Sequence, residues 1–238
     1  GLQPALTILV ATTQGLKMHG GVPVEAIKEP NMEGLKEGMK NLDRHIRNLQ
    51  GFGQTVVVCF NRFAADTDEE IAFCREHCAE MGIGFAVNNA FNEGGAGAEE
   101  LAHLVVDTIE NKPSAPLQFA YTDEQSIEDK AKAVVQKVYG GKGVTFTPAA
   151  KKMLQKIEEL GLSHYPICIA KTQFSFSADQ KAYGVPEGFN IAIRDVVINQ
   201  GSEFIVLIAG EILRMPGLPK VPQAEKIDIV NGEIEGLS

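Results

Sequence analysis

Short apolar runs alternate with longer stretches of helical periodicity in the first half of the chain. Three runs rich in apolar or β-branched residues predict buried strands: Thr7–Thr12, Thr55–Phe60 and Phe85–Asn88. Apolar residues spaced three and four apart predict a helix over Asn31–Gln50. A second helix is predicted from the N-cap Thr67 to Gly82, and a third follows Gly97. This alternation predicts an α/β fold, a doubly wound and mostly parallel sheet with helices on both faces.

The second half of the chain orders its elements differently. Apolar periodicity predicts two helices in succession, Ser126–Tyr139 and Pro148–Leu160. Three strands are predicted after them: Ile167–Ala170, Phe189–Ile198 and Phe204–Ala209. Three prolines in Met215–Pro222 exclude a regular helix or a central strand there. With a linker near Asn111–Pro116, we expect an α/β domain over 1–112 and a smaller α+β domain over 113–238.

Charge and composition narrow the classes of partner. The chain has 22 Lys and Arg against 31 Asp and Glu, a net charge of −9, and no basic stripe. This argues against nucleic acid as a partner. No apolar run approaches the ~18 residues of a membrane span. Cys74 and Cys78 lie one helical turn apart without two further ligands at suitable spacing, so we expect no metal site and a reducing, cytoplasmic location.

Aromatic residues follow two of the predicted strands. Asn61-Arg62-Phe63 ends the second strand, and Phe91 comes shortly after the third. Ligands of open parallel sheets bind beyond the carboxyl ends of the strands. Phe63 and Phe91 could therefore face each other and stack on a flat heteroaromatic ligand. The alternative is that each ring only covers the core.

Cationic side chains and glycines also follow predicted strands, and each has a structural alternative. Lys17 and His19 lie in a predicted loop after the first strand, and Lys171 follows the strand Ile167–Ala170. They are candidate anion or phosphate contacts, but could equally be surface charges. Gly94–Gly97 could offer N–H groups to an anion or form a flexible loop. The phosphate loop ending in Gly-Lys-Ser/Thr is absent from this sequence.

Several blocks of the sequence resemble those of the formate–tetrahydrofolate ligases, also called formyltetrahydrofolate synthetases. The blocks keep one order along the whole chain: Val10–Gly21, Asn41–Ile46, Val56–Phe63, Asp66–Glu70, Tyr139–Gly140, Pro166–Gln173 and Met215–Pro222. Two departures stand out. Thr13-Gln14-Gly15 replaces the family's usual Val-Arg-Ala, and Phe91 stands where the family usually has Trp. Phenylalanine still offers a stacking face, but with less area and no indole N–H.

The resemblance implies a P-loop NTPase-like fold and a two-step reaction. In that reaction ATP, with Mg²⁺, phosphorylates formate to formyl phosphate, and N10 of tetrahydrofolate then attacks the formyl carbon. The implied folate contacts are Phe63, Phe91 and Asn61; the resemblance assigns no catalytic residue. It also implies a homo-oligomeric parent, a homotetramer. The family's phosphate loop precedes the matched region, so we expect a C-terminal portion that carries the folate wall and is inactive alone.

Two other functions remain open at this point. The chain could be a non-catalytic folate-binding or assembly module without residues that handle ATP. A nucleotide-binding module of the GTPase type is the third candidate, but it needs the phosphate loop and a base-reading motif that are missing here.

Overall fold

A computed structural model describes residues 2–210, 220–230 and 233–235 of the protein. Its first part is a parallel sheet of three strands in the order β1-β2-β3. These strands are β1 (Thr7–Ala11), β2 (Val56–Asn61) and β3 (Gly84–Asn88). The helices between and after them are α1 (Thr13–His19), α2 (Met32–Gly51), α3 (Asp68–Glu80), α4 (Ala90–Glu93) and α5 (Glu99–Asn111). Short 3₁₀ turns cover Val24–Ala26 and Gly94–Ala98.

Helices pack on both faces of this sheet. Val58 and Phe60 of β2 are fully buried in a core with Leu35 and Met39 of α2. On the other face α5 packs on β2 and β3, so that a Cβ on Gly84 would lie 3.0 Å from Leu104. The predicted α/β architecture with parallel strands is confirmed.

Strand β1 is less buried than its sequence predicts. Ile8 is 43 % exposed and Val10 is 56 % exposed, although both are typical of a buried strand. β1 is one of the two edge strands of the described sheet, and α5 packs chiefly on β2 and β3. One face of β1 is therefore open to solvent.

Helix α1 replaces the loop expected after the first strand. Thr12 caps it, because its hydroxyl oxygen accepts a hydrogen bond from the N–H of Gly15 at 3.0 Å. The helix packs on α2 at very short range: a Cβ on Gly20 would lie 1.8 Å from the carbonyl oxygen of Gly34. Lys17 and His19 thus have fixed positions on a helix.

The second half of the chain forms a mixed sheet with its own core. The strands β4 (Gly143–Phe146), β5 (Ile167–Ala170), β6 (Asn190–Asn199) and β7 (Phe204–Ala209) lie in the order β4-β6-β7-β5. Only the β6–β7 pair is antiparallel. Two helices accompany this sheet, α6 (Ile127–Val134) and α7 (Pro148–Glu159). Its core includes Ile157, Ile193 and Leu207, all fully buried.

Three local features differ from the sequence-based expectations. The helix predicted to Tyr139 ends as α6 at Val134 and continues as a single π-helical turn, Val135–Tyr139. Strand β4 was not predicted, nor was the hairpin of β8 (Asp228–Val230) and β9 (Glu233–Glu235). Residues 215–219 of the proline-rich segment Met215–Pro222 lie outside the described part of the chain. Within the part of the chain that the structure describes, no helix is both long and apolar enough to cross a membrane.

Candidate functional site

The carboxyl ends of β2 and β3 lie side by side. Asn61 and Asn88 are partners in the parallel register, and the amide Nδ2 of Asn88 donates to Oδ1 of Asn61 at 2.8 Å. The N–H of Arg62 donates to the carbonyl of Asn88 at 3.0 Å. These bonds join the last residues of β2 and β3, so the positions at which the two strands end are fixed relative to each other. Asn61 is the last residue of β2.

Phe63 begins a loop that is anchored at the end of β1. Its N–H donates to Oδ2 of Asp66 at 2.8 Å, and the N–H of Asp66 donates back to the carbonyl of Phe63. The hydroxyl of buried Thr13 donates to the other carboxylate oxygen of Asp66. Asp66 is itself buried, whereas the ring of Phe63 remains 45 % exposed.

Phe91 lies on the short helix α4, directly after β3, and is 84 % exposed. The N–H of Ala90 donates to Oδ1 of Asn88, and the N–H of Asn89 donates to the carbonyl of Gly97 at 2.9 Å. A Cβ on Gly97 would lie 2.5 Å from the backbone of Asn89, so only glycine fits there. The Gly-rich stretch is therefore an ordered 3₁₀ turn that closes back on the strand end.

The predicted folate residues share one end of the sheet. Phe63 and Phe91 follow neighbouring hydrogen-bonded strands, and Asn61 lies where β2 ends. Two aromatic rings open to solvent at adjacent strand ends are unusual for residues that only cover a core. That the rings face one another across a common gap stays a prediction.

Lys17 lies apart from the other candidate anion residues. Its ammonium is 3.0 Å from Oε1 of Glu70 and donates to the carbonyl of Glu29 at 2.9 Å, with both side chains of the ion pair almost fully buried. Burial alone raises the pKa of Glu70, but the N–H of Asn31 and the Lys17 ammonium outweigh it and lower the pKa. In this chain Lys17 forms an internal ion pair that joins α1 to α3.

His19 and Lys171 line a single cavity of about 540 Å³, although 152 positions separate them in the sequence. The cavity lies beside the first residues of β1 and between the two sheets. Asn41 of α2 contributes to its wall and donates to the carbonyl of Gly184 at 2.7 Å. The N–H of Gly184 donates to Nδ1 of His19 at 3.1 Å, so a neutral His19 carries its proton on Nε2.

The ammonium of Lys171 is held by its own loop. It donates to the carbonyls of Thr172 and Ser175 and lies 4.7 Å from the centre of the Tyr139 ring. Burial lowers the pKa of Lys171 to about 8. In the described part of the chain no carboxylate oxygen lies within 4.0 Å of this ammonium, so the cavity contains a cation without a counter-charge.

His45 is a cavity residue that sequence reasoning missed. Its position on a helix predicts a solvated side chain. The residue is only partly exposed to solvent, because its ring lines the same cavity and packs 4.7 Å from that of Phe176. Burial lowers the pKa of His45, and the charges of His19, Lys171 and Arg44 lower it further. The signal in the sequence that could have identified His45 is its position in Asn41–Ile46, one of the blocks that carry the family resemblance.

Cys74 and Cys78 lie in the core of the first sheet and are fully buried. Burial raises the pKa of Cys74 to about 12 and that of Cys78 to about 11. Both thiols are protonated at neutral pH, and they behave as small apolar core groups.

Comparison with known proteins identifies the family. The sequence model of the formate–tetrahydrofolate ligases matches residues 1–238. The chain belongs to the formate–tetrahydrofolate ligase family. The resemblance inferred from the separate sequence blocks is thereby confirmed.

Curated formate–tetrahydrofolate ligases align with every residue of the chain. The protein of that name from Bacteroides fragilis (strain YCH46) is 62 % identical over 238 residues, and the one from Bacteroides thetaiotaomicron is 63 % identical. The one from Porphyromonas gingivalis is 55 % identical. In each case the aligned region is 43 % of the relative, so the chain spans less than half the length of these ligases.

Proposed function

We propose that this chain supplies the folate-binding wall of a formate–tetrahydrofolate ligase, which makes 10-formyltetrahydrofolate from formate, ATP and tetrahydrofolate through formyl phosphate. The observation that carries this proposal is the pair of exposed rings, Phe63 and Phe91, at the carboxyl ends of adjacent parallel strands. A pterin between two phenyl faces would be held flat, which orients N10 toward the formyl donor. Asn61 ends β2, two residues before Phe63. Its Oδ1 accepts from Asn88, so its NH₂ group can donate to the edge of the pterin.

The strand ends of this chain do not fit Mg²⁺-bound ATP. The carboxylate of Asp66 already accepts hydrogen bonds from Thr13 and Phe63, and that of Asp68 pairs with Arg62 at 2.9 Å. The sequence contains no phosphate loop. We therefore propose that ATP and Mg²⁺ bind mainly in the part of the ligase that this chain does not span.

Other properties of the parent protein are proposed with this function. A homo-oligomeric ligase and a cytoplasmic location stay predictions, as does membership of the P-loop NTPase-like superfamily. The division at residue 112 is proposed as a domain boundary; the two separate hydrophobic cores, one on each side of it, support that boundary.

Tetrahydrofolate binding by alanine variants tests the folate wall. In a full-length ligase that contains this chain, Phe63→Ala and Phe91→Ala should each weaken binding by about 1 kcal/mol or more, measured by calorimetry. Phe119→Ala is the matched control, because Phe119 is 76 % exposed but lies outside the strand ends. Unchanged affinity in both strand-end variants would remove the assignment.

The alternative function is a folate-binding or assembly module without ATP chemistry; the 238 residues themselves contain no phosphate loop. Formate-dependent release of ADP distinguishes the two functions. We expect no release from the 238-residue chain alone and full release from the longer protein. A longer protein that binds tetrahydrofolate without releasing ADP would support the alternative.

A further inference from the structure

The cavity between the two sheets contains the ammonium of Lys171 and no described carboxylate, in a chain that is acidic as a whole. His19, His45 and Lys171 line it, and none of its described lining residues is Asp or Glu. The whole chain carries 31 acidic residues and a net charge of −9. A cavity without a carboxylate in such a chain concentrates positive potential where an anion can enter.

The ammonium of Lys171 has no balancing charge in the described part of this cavity. Two donors of the Lys171 ammonium are directed to backbone carbonyls, and no described carboxylate oxygen lies within 4.0 Å of it. Arg44 lies outside the lining of this cavity, but its charge lowers the pKa of His45, and among the described residues its buried Nε atom has no hydrogen-bond partner. A half-buried cation without a counter-ion is destabilised by desolvation, and an anion in the cavity would offset that cost.

Segments far apart in the chain converge on this cavity. Four of the blocks that carry the family resemblance each contribute to its lining: His19 from Val10–Gly21, His45 from Asn41–Ile46, Tyr139 from Tyr139–Gly140, and Lys171 from Pro166–Gln173. None of these residues lies at the strand ends that hold Phe63 and Phe91. The proposed folate wall therefore leaves these parts of the four blocks without a role.

Backbone contacts hold the cavity residues in place. A Cβ on Gly38 would lie 1.8 Å from the carbonyl oxygen of Leu16, so α1, which carries His19, is locked against α2, which carries His45. Gly184 then bonds to both helices, through Nδ1 of His19 and Nδ2 of Asn41. Such preorganised polar groups bind a ligand with little cost of reordering.

We propose that His19, His45 and Lys171 bind the carboxylate or phosphate group of a small organic molecule in this cavity. Its volume of about 540 Å³ admits a metabolite, and the rings of Tyr139 and Phe176 provide apolar walls for the organic part. Lys171 supplies the charge and the imidazole N–H groups supply directed hydrogen bonds. The site is separate from the folate wall and does not depend on it.

Titration of the 238-residue chain with phenyl phosphate and with benzoate tests this site and separates the two anion chemistries. Histidine ring NMR signals report the binding, with sodium chloride at matched ionic strength as the blank. We expect saturable shifts of the His19 and His45 signals with at least one of the probes, and no shift of His103, which is exposed on α5. A larger effect of one probe identifies the preferred group.

Variants decide whether the shifts arise from this cavity. Lys171→Met and His45→Gln should each weaken binding about tenfold. Lys132→Gln, His103→Gln and Phe63→Ala should leave it unchanged. Because His45 is partly exposed and lies on the surface of α2, its variant should fold even if Lys171→Met does not. The absence of saturable shifts with both probes, or equal binding by His45→Gln and the unchanged chain, would overturn the proposal.

Discussion

Gly38 of α2 and Leu16 of α1 are in backbone contact: a Cβ on Gly38 would lie 1.8 Å from the carbonyl oxygen of Leu16. No side chain fits between the two helices at this point, and backbone cannot rotate away as a flexible side chain can. The pair therefore sets the distance between the helices that carry His19 and His45.

Gly38→Ala should destabilise the chain by about 1–3 kcal/mol or more, because it forces α1 away from α2. Urea denaturation measures the change. Gly51→Ala is the matched control, since Gly51 ends the same helix and a Cβ there meets no atom within 4 Å. A Gly38→Ala variant as stable as the control would show that the helices are not packed as described.

The elements that follow from the sequence are those with local signals. Asn31 and Thr67 cap α2 and α3 through side-chain oxygens that accept the N–H groups of Gly34 and Glu70. Such caps, and the apolar spacing that follows them, depend only on residues that are close together in the sequence. For this reason both helices were predicted to within a residue or two.

Helix α1 and the cavity depend on contacts between distant segments. Gly15 and Gly20 make α1 resemble a loop in sequence, and its packing against Gly34 and Gly38 is visible only in the fold. His45 likewise has an ordinary helical position, and the segment after β5 that encloses it is more than 120 positions away. The predicted folate contacts, Phe63 and Phe91, have a local signal in the sequence, because each follows the end of a predicted strand.

The buried ion pair of Lys17 and Glu70 should be important for stability. Lys17→Met leaves the Glu70 carboxylate buried without its cation and should cost about 3–5 kcal/mol in the free energy of unfolding. Lys40→Met, which breaks the exposed pair with Glu37, should cost no more than about 1 kcal/mol. The double variant Lys17→Met, Glu70→Gln should lose less than Lys17→Met alone; a larger loss would contradict the ion-pair account.

The ion pair of Lys17 and Glu70 also predicts that the free energy of unfolding depends on pH. Because the pKa of Glu70 is lowered in the folded chain, its stabilisation is complete above the ordinary value of 4.5 and is lost as the pH falls below it. Urea denaturation at several pH values should show this loss. The slope between pH 4.5 and lower values should be smaller in Glu70→Gln, and an identical slope would exclude Glu70 as its source.

The two cavity histidines should titrate below their ordinary pKa of 6.5, since burial lowers the pKa of both His19 and His45. The unfolded chain takes up protons near pH 6.5 and the folded chain does so only at lower pH, so stability falls as the pH drops below 6.5. Ring NMR signals followed against pH measure both values directly. His45→Gln should make the fall in stability shallower, whereas His103→Gln serves as the exposed control.

Phe91→Trp introduces, on α4 directly after β3, the side chain that the resemblance to the family implies for this position. The indole has a larger face than the phenyl ring and adds an N–H donor, so tetrahydrofolate should bind more tightly by about 0.5–1.5 kcal/mol. Calorimetry on a full-length ligase containing this chain measures the gain. Phe119→Trp, at an exposed phenylalanine away from the strand ends, should give none. Equal affinities for the Phe91→Trp variant and the unchanged protein would mean that residue 91 does not contact the pterin, because an indole in a stacking position cannot be without effect.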